Sequence, residues 1–392
     1  MFTTSDNRWF IDRGVVVHHP ETVTLDVSPE QISPGAEIHP GCRISGGDTS
    51  IGPGCRIGAE APATLINCRL GRGVRFCGGF AEEAVFLDGA AAGSGAHIRP
   101  GTLLEEQASC AHTVGLKQTI LMPFVTLGSL INFCDCLMAG GTGPKEHSEV
   151  GSSYIHFNFT ARQDKATASL IGDVPRGVML DRLPIFLGGQ GGLVGPVRIA
   201  YGTVLAAGTV WRRDVVEEGL LIGGPGGGQR TETPYNLNQY GDIDRVCRNN
   251  FTYAGNLHAL AAWYACIRPL LTPGDPYAQA CLRGAQQLLA AAAAERATQL
   301  ERLAGKIADA PGPHASHQRL LALRPRLEQM IFIPKTAGFI PPEELTAAIA
   351  INRQPTYIEA IQSLPAAARQ AGTAWLQRIA DAVAGHWETG TP

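Results

Sequence analysis

Aliphatic residues recur every six positions along half of this chain, and that period excludes most folds at once. Isoleucines stand at Ile32, Ile38, Ile44, Ile51 and Ile57 with one slip of register, and the pattern resumes at Leu70 and Phe76. It runs again at Leu187, Leu193, Ile199 and Leu205. The residue after each anchor is mostly small (Ser33, Ser45, Gly52, Gly58, Gly188, Ala206), and the fourth is often small or β-branched (Ala36, Cys42, Cys55, Val74, Val197, Thr203). An α-helix repeats near every fourth residue and a half-buried strand every second, so neither makes this pattern. A parallel β-helix does. Each hexapeptide forms one flat side of a triangular coil, stacked anchors fill the axis, and small residues permit tight corners.

The repeat resembles the left-handed β-helix of the hexapeptide acyltransferases, and most of all the acetyltransferase half of the bifunctional enzyme that makes UDP-N-acetylglucosamine. Ile98-Arg99-Pro100-Gly101 matches an L/I-R-P-G motif, with Lys117 eighteen residues after the arginine. Asn158-Phe159-Thr160-Ala161, then Lys165 and Leu170-Ile171-Gly172-Asp173, echo a second motif; Ala206-Ala207-Gly208-Thr209 and Arg213-Asp214-Val215 echo the closing one. The similarity covers about residues 30–225. It implies a homotrimer that uses acetyl-CoA or another acyl-CoA and a phosphosugar or nucleotide sugar. Arg99, Lys117, Asn158, Phe159 and Lys165 would bind the sugar. Ala206 and Ala207 would wall the pantetheine arm, and Arg212 and Arg213 would meet the CoA phosphates. No glycine-rich loop of G-T-R-M character precedes the repeat, so the nucleotidyltransferase part of that enzyme is not expected here.

One departure bears on mechanism. Where the resemblance places a catalytic G-H-x-x-Y-x-G-D segment, this chain reads Gly128-Ser129-Leu130-Ile131-Asn132-Phe133-Cys134-Asp135. Ser129 replaces the general-base histidine and Asn132 the tyrosine, while Asp135 is kept. A serine hydroxyl is too weak a base to take a proton near neutral pH unless another group activates it.

Organisation follows from composition. Residues 1–30 hold short alternating stretches expected to cap the first coil, since a solenoid end otherwise exposes apolar edges. The β-helix is expected over 31–222, with loops leaving it at about 137–150 and 174–186, where binding residues tend to gather. A glycine-rich linker at 223–234 then gives way to an all-α domain over 235–392, with helical spacing at 243–271, 277–309, 318–330, 342–352 and, interrupted at Pro365, 356–387. A net charge of −3 offers no basic face for nucleic acid. No apolar run is long enough for a membrane span, and residues 1–14 are polar, so a cytoplasmic protein is expected. Ten cysteines without a secretory signal read as reduced thiols. No C-x₂-C pair supports a zinc site, and no metal is expected.

Arginine is this chain's default cation, because only five of 32 basic residues are lysines: Lys117, Lys145, Lys165, Lys306 and Lys335. Three of them fall in one fifty-residue window of the repeat. A compact ammonium suits a phosphate met as a point charge. Arg99 and Lys117, one coil apart, are expected to clamp a sugar phosphate. For the base, His147 in the inserted loop beside Glu146 and Glu149, and His156 two residues before Asn158, are the leading pair. His112 lies between Arg99 and Lys117 on the same turn, whereas His39 and His97 occupy corners and attract no functional reading. Two functions remain: a CoA-dependent acyltransferase with a relocated base, or a non-catalytic sugar-nucleotide-binding or scaffold protein that has lost it.

Overall fold

The computed structural model describes residues 7–223, 240–272, 274–309, 312, 314–333, 339–352 and 354–390. The expected linker at 223–234 lies, apart from its first residue, outside them. The repeat winds into a left-handed parallel β-helix of about 12 turns, followed by helices. Helix exceeds strand, 37% to 23%, because most sides of a coil pair over only two or three residues. The anchors Ile32, Ile38, Ile44, Ile51, Ile57, Leu70, Phe76, Leu187, Leu193 and Leu205 are fully buried along the axis. Cys42, Cys55 and Cys68 fill slots between them as compact apolar groups,. All ten cysteines are free thiols.

Three flat faces result. The first is an 11-stranded parallel sheet from Val16–Val17 to Leu221–Ile222. The second and third merge into one 16-stranded sheet, because strands Gly115–Leu121 and Asn132–Met138 run on through the corner between them. Gln118 and Asp135 turn that corner in the left-handed region, at φ of 50° and 60°. On the first face, in-register partners are 18 residues apart at Ala91↔Ser109 and Phe186↔Val204. The step widens to 23 at Thr126↔Glu149 and 37 at Glu149↔Phe186. The wide steps mark where chain leaves the coil: an antiparallel hairpin, Gly141–Gly143 with Glu146–His147, an excursion at 158–168, and a short helix, Val174–Gly177.

Strands Val16–Val17 and Thr24–Asp26 pair in parallel with Glu37–Ile38 and Arg43–Ser45, adding a turn before the first isoleucine. At the other end, helices Asp244–Cys266, Pro276–Asp309 and Ala366–Ala384 dominate the α-helical part. A Cβ on Gly255 would lie 2.2 Å from the Ala380 carbonyl oxygen, so glycine is what lets the first and third of these cross in backbone contact. None of the described helices is long and apolar enough to cross a membrane.

The helices close the third face. Helix Pro276–Asp309 lies against strands Ser50–Ile51, Arg69–Leu70, Ala84–Phe86 and Thr102–Leu104. Arg69 donates to Gln287 at 3.0 Å. Deeper in the seam, Arg268 is buried between two solenoid glutamates, 2.6 Å from Glu106 and 3.2 Å from Glu105. Tyr264 donates to Glu105 at 2.6 Å. Burial pushes Glu105 up to about 7 against the pull of Arg268, with the like charge of Glu106 adding to the rise. Arg268 also lies over the rings of Tyr264 and Tyr357, at 4.5 and 3.9 Å. Removing one partner of a buried ion cluster strands the others. Arg268→Ala is therefore expected to cost about 3–5 kcal/mol in denaturant unfolding, and adding Glu105→Gln should recover part of that loss.

Candidate active site on the solenoid edge

The corner between the first and second faces carries the residues that replace the expected catalytic segment. Each rung donates a backbone N–H to the one before: Thr113 to Ser94, Leu130 to His112, Ser153 to Ser129, Gln190 to Ser152 and Gly208 to Gly189. This ladder stacks Ser94, His112, Ser129, Ser152, Gly189 and Ala207 in one column along the edge. Ser129 Oγ lies 2.9 Å from His112 Nδ1, and the Ser129 N–H donates to Ser152 Oγ at 3.1 Å. His112 is exposed and Ser129 half-exposed. Beyond Ser152 the edge is bare. A Cβ on Gly151 would sit 2.3 Å from Gly189 N, and one on Gly188 the same distance from Ala207 N, so these corners stack backbone on backbone. Three rungs separate Ser129 from Ala207, about 14 Å at sheet spacing.

The second face presents the expected clamp. His97 pairs with Gly115 and Ile98 with Leu116, which sets Arg99 beside Lys117; Lys117 in turn pairs with Cys134. Their side chains alternate outward with buried Leu116 and Phe133,. The Arg99 guanidinium reaches across one rung to donate to Cys134 Sγ at 3.2 Å. Its Nε is buried without a hydrogen-bond partner. Among the described residues neither Arg99 nor Lys117 has an acidic partner within ion-pair distance, and Glu82 on the preceding rung pairs with neither. Two adjacent cations without a counter-ion repel each other, and a bound anion relieves that repulsion.

The corner between the second and third faces uses its polar groups internally. Asp135 accepts from Arg296 at 3.0 Å and from the Asn158 amide at 2.8 Å, and both charged side chains are buried. The carboxylate expected to take part in catalysis is instead neutralised by an arginine 161 residues away, and it fastens the helices and the 158–168 excursion to the coil. His156 is also interior, 2% exposed. It lies 2.6 Å from the Cys134 carbonyl and 2.7 Å from Ser169 Oγ. The carbonyl can only accept, so Nδ1 carries the proton and Nε2 accepts from the serine. Burial lowers the imidazole to about 4. With both nitrogens engaged inside the prism, His156 has no side open to a substrate.

His147 does not join it. It sits in the hairpin, 2.9 Å from the Pro144 carbonyl and 3.9 Å from Glu149. It precedes the first-face strand Glu149–Val150, whereas Ser152 follows it, so a whole face separates His147 from the Ser129 edge. Phe159 and Lys165 are exposed on the excursion. Arg212 and Arg213 are exposed just after Val210–Trp211 on the second face, on the same turn as Ala206 and Ala207. The His112–Ser129 contact is what sequence reasoning missed. The signal was the spacing, since 17 residues is also the step between Cys110 and Leu127 on that rung.

Fold and edge together define a hexapeptide-repeat left-handed β-helix protein. No protein-family model matches the chain. It is similar to proteins named "Bifunctional protein GlmU". The identity is 31% over 217 residues with that of Pelobacter propionicus, covering 55% of this chain and 42% of the relative. It is 30% over 210 residues with that of Geotalea uraniireducens (53% and 41%), and 28% over 228 residues with that of Nocardia farcinica (57% and 42%). The chain thus spans about two fifths of the length of these curated relatives.

The buried histidine sets an acid limit on stability. Its folded value of about 4 lies below the ordinary 6.5. Between those values the unfolded chain binds a proton that the folded chain refuses, so its contribution is full above 6.5 and declines as pH falls toward 4. The difference corresponds to about 3 kcal/mol. Denaturant midpoints at pH 7 and pH 5 are expected to fall further apart in the wild type than in His156→Gln. An equal fall in both would show that His156 is not the group responsible.

Proposed function

We propose that this chain is a CoA-dependent acyltransferase acting on a phosphosugar or nucleotide sugar, with His112 as the general base. The observation that carries the reading is the 2.9 Å contact between His112 Nδ1 and Ser129 Oγ. It brings an imidazole to the position where the resemblance expects one, from the rung below. If Nδ1–H donates to the serine, Nε2 keeps its lone pair facing outward, and Ser129 acts as a positioning residue. The acceptor amine or hydroxyl then attacks the thioester carbon, His112 takes its proton, the carbon–sulfur bond breaks, and the departing CoA thiolate takes up that proton to leave as the thiol.

The surroundings suit both substrates. Arg99 and Lys117 offer cations without an acidic partner for a phosphate, and on each rung the clamp stands five residues from the edge, as Lys117 does from His112 and Cys134 from Ser129. Asn158, Phe159 and Lys165 extend the sugar side as a proposal from the motif match. The bare strip from Ser152 through Gly189 to Ala206 and Ala207 leads away from the base along the edge. It is long enough for a pantetheine arm, with Arg212 and Arg213 beyond it for the CoA phosphates. We place the enzyme in the cytoplasm as a homotrimer, in which a neighbouring subunit walls the outward-facing edge. Light scattering should give three times the chain mass at micromolar concentration.

Wild-type protein is expected to release thiol from acetyl-CoA with at least one member of a panel of amino-sugar phosphates. His112→Gln should lower kcat by about 10²–10⁴-fold with binding largely kept. Ser129→Ala should cost less, and Arg99→Ala or Lys117→Ala should weaken phosphosugar binding about ten- to a hundredfold. Sugar-phosphate binding with no turnover from any acyl-CoA would leave a binder that has lost catalysis. Turnover indifferent to His112→Gln would keep the enzyme and reject this base.

A further inference from the structure

We propose a second site, remote from the first: His18, Glu37 and His39 bind a first-row divalent metal of the zinc type at the N-terminal end of the solenoid. The parallel ladder builds the donor set. Val17 pairs with Ile38, so His18, the next residue, falls beside His39 on the adjoining rung. Their rings stack with centroids 4.7 Å apart and planes 25° from parallel. Glu37 stands two residues before His39 and therefore points the same way off its strand. His18 Nε2 lies 2.9 Å from Glu37 Oε1, and His39 Nε2 lies 3.3 Å from the same oxygen. All three donor atoms fall within 4.8 Å of one another, the one such trio among the described residues.

These separations suit coordination. Bonds of about 2.0–2.1 Å in a tetrahedron put neighbouring donors about 3.3 Å apart, which both nitrogen–oxygen separations already approach, and the two imidazole nitrogens, within 4.8 Å of each other, would close on the ion by side-chain rotation. His39 Nε2 is buried with no hydrogen-bond partner, although it faces the carboxylate. Arg56 Nε donates to the other oxygen, Glu37 Oε2, at 2.8 Å. That contact turns Oε1 toward the imidazoles, as outer-shell partners do for ligating carboxylates. Two imidazoles and one carboxylate favour zinc, cobalt, nickel or copper over calcium or magnesium, which prefer oxygen-rich sites. A fourth position is left for water or another ligand. The ion would bridge the first two rungs where the ladder has a neighbour on one side only.

The site is independent of acyl transfer. His39 and Ala111, which precedes the proposed base, occupy the same column four rungs apart, about 19 Å. The test uses the full chain after chelator treatment and dialysis. Cobalt(II) is titrated by its ligand-field absorption, and zinc by competition with a chromophoric chelator. One ion per chain is expected, with a cobalt spectrum of low coordination number. His18→Ala and His39→Ala should each weaken binding more than a hundredfold, and Arg56→Ala about 10–100-fold. Zinc should raise the melting temperature of the wild type but not of Glu37→Gln. That substitution keeps the side-chain shape, and circular dichroism checks that it folds. Failure to bind either ion stoichiometrically overturns the proposal and leaves a hydrogen-bonded cluster filled by protons. Binding undiminished in the His18→Ala/His39→Ala double variant overturns it too, because the ion then sits elsewhere.

Discussion

Each side-chain grouping proposed as a site in this chain depends on the parallel backbone ladder that holds one coil against the next. Its rungs are about 4.8 Å apart, and it converts a sequence separation near 18 residues into side-by-side contact. Arg99 meets Lys117, His112 meets Ser129, and His18 meets His39 for that one reason. Arg99–Lys117 and His112–Ser129 have no acidic group within ion-pair distance among the described residues, while His18 and His39 share the carboxylate of Glu37. The backbone hydrogen bonds pay for bringing them together, which is how like charges such as Arg99 and Lys117 can be kept adjacent without compensation. Anchors at the axis keep the ladder in register, since a slip of one residue would turn every buried isoleucine outward.

The helical part gives the solenoid an inside and an outside. It covers the third face through groups that are costly to separate: Arg268 between Glu105 and Glu106, and Arg296 on Asp135. Such clusters add little net stability over apolar packing, but each strongly opposes losing one member. They fix where the helices sit. The first and second faces remain uncovered, with Val16, Phe186 and Leu221 exposed on one and Ile155, Phe157 and Val210 on the other. These two faces and the edge between them are open to a neighbouring copy. That edge holds Ser129 and His112, so the proposed trimer and the proposed active site make the same demand on the surface.

The architecture was legible because its signal is repetitive: each anchor independently reports the period, and one slip of register does not erase it. The Arg99–Lys117 adjacency was legible for the same reason, as eighteen residues is one regular coil. Contacts requiring either an irregular step or a distant partner were not legible. Asp135 stands in the motif segment, and Arg296 reaches it from the helical part; no local pattern announces that pairing. His156 stands only two residues before Asn158, but the excursion begins right after Phe157, and the imidazole lies inside, against Cys134 and Ser169. The stacking of His18 on His39 gives no periodic signal, because His18 stands in a capping turn that lacks the hexapeptide anchor.

An edge built this way also allows a catalytic group to move without a new fold. Successive rungs repeat the same corner geometry with a shift of about 4.8 Å along the axis. A histidine side chain reaches nearly that far from its own backbone, so an imidazole rooted one rung away can come close to the same point in space. A small hydroxyl then suffices at the vacated position, to hold the ring and choose its tautomer. Ser129, 2.9 Å from His112 Nδ1, meets that requirement under the proposed reading. Replacement of a residue in a motif is therefore weaker evidence for lost chemistry in a solenoid than in a globular fold. The relevant comparison is between columns of the edge, not between positions in the sequence.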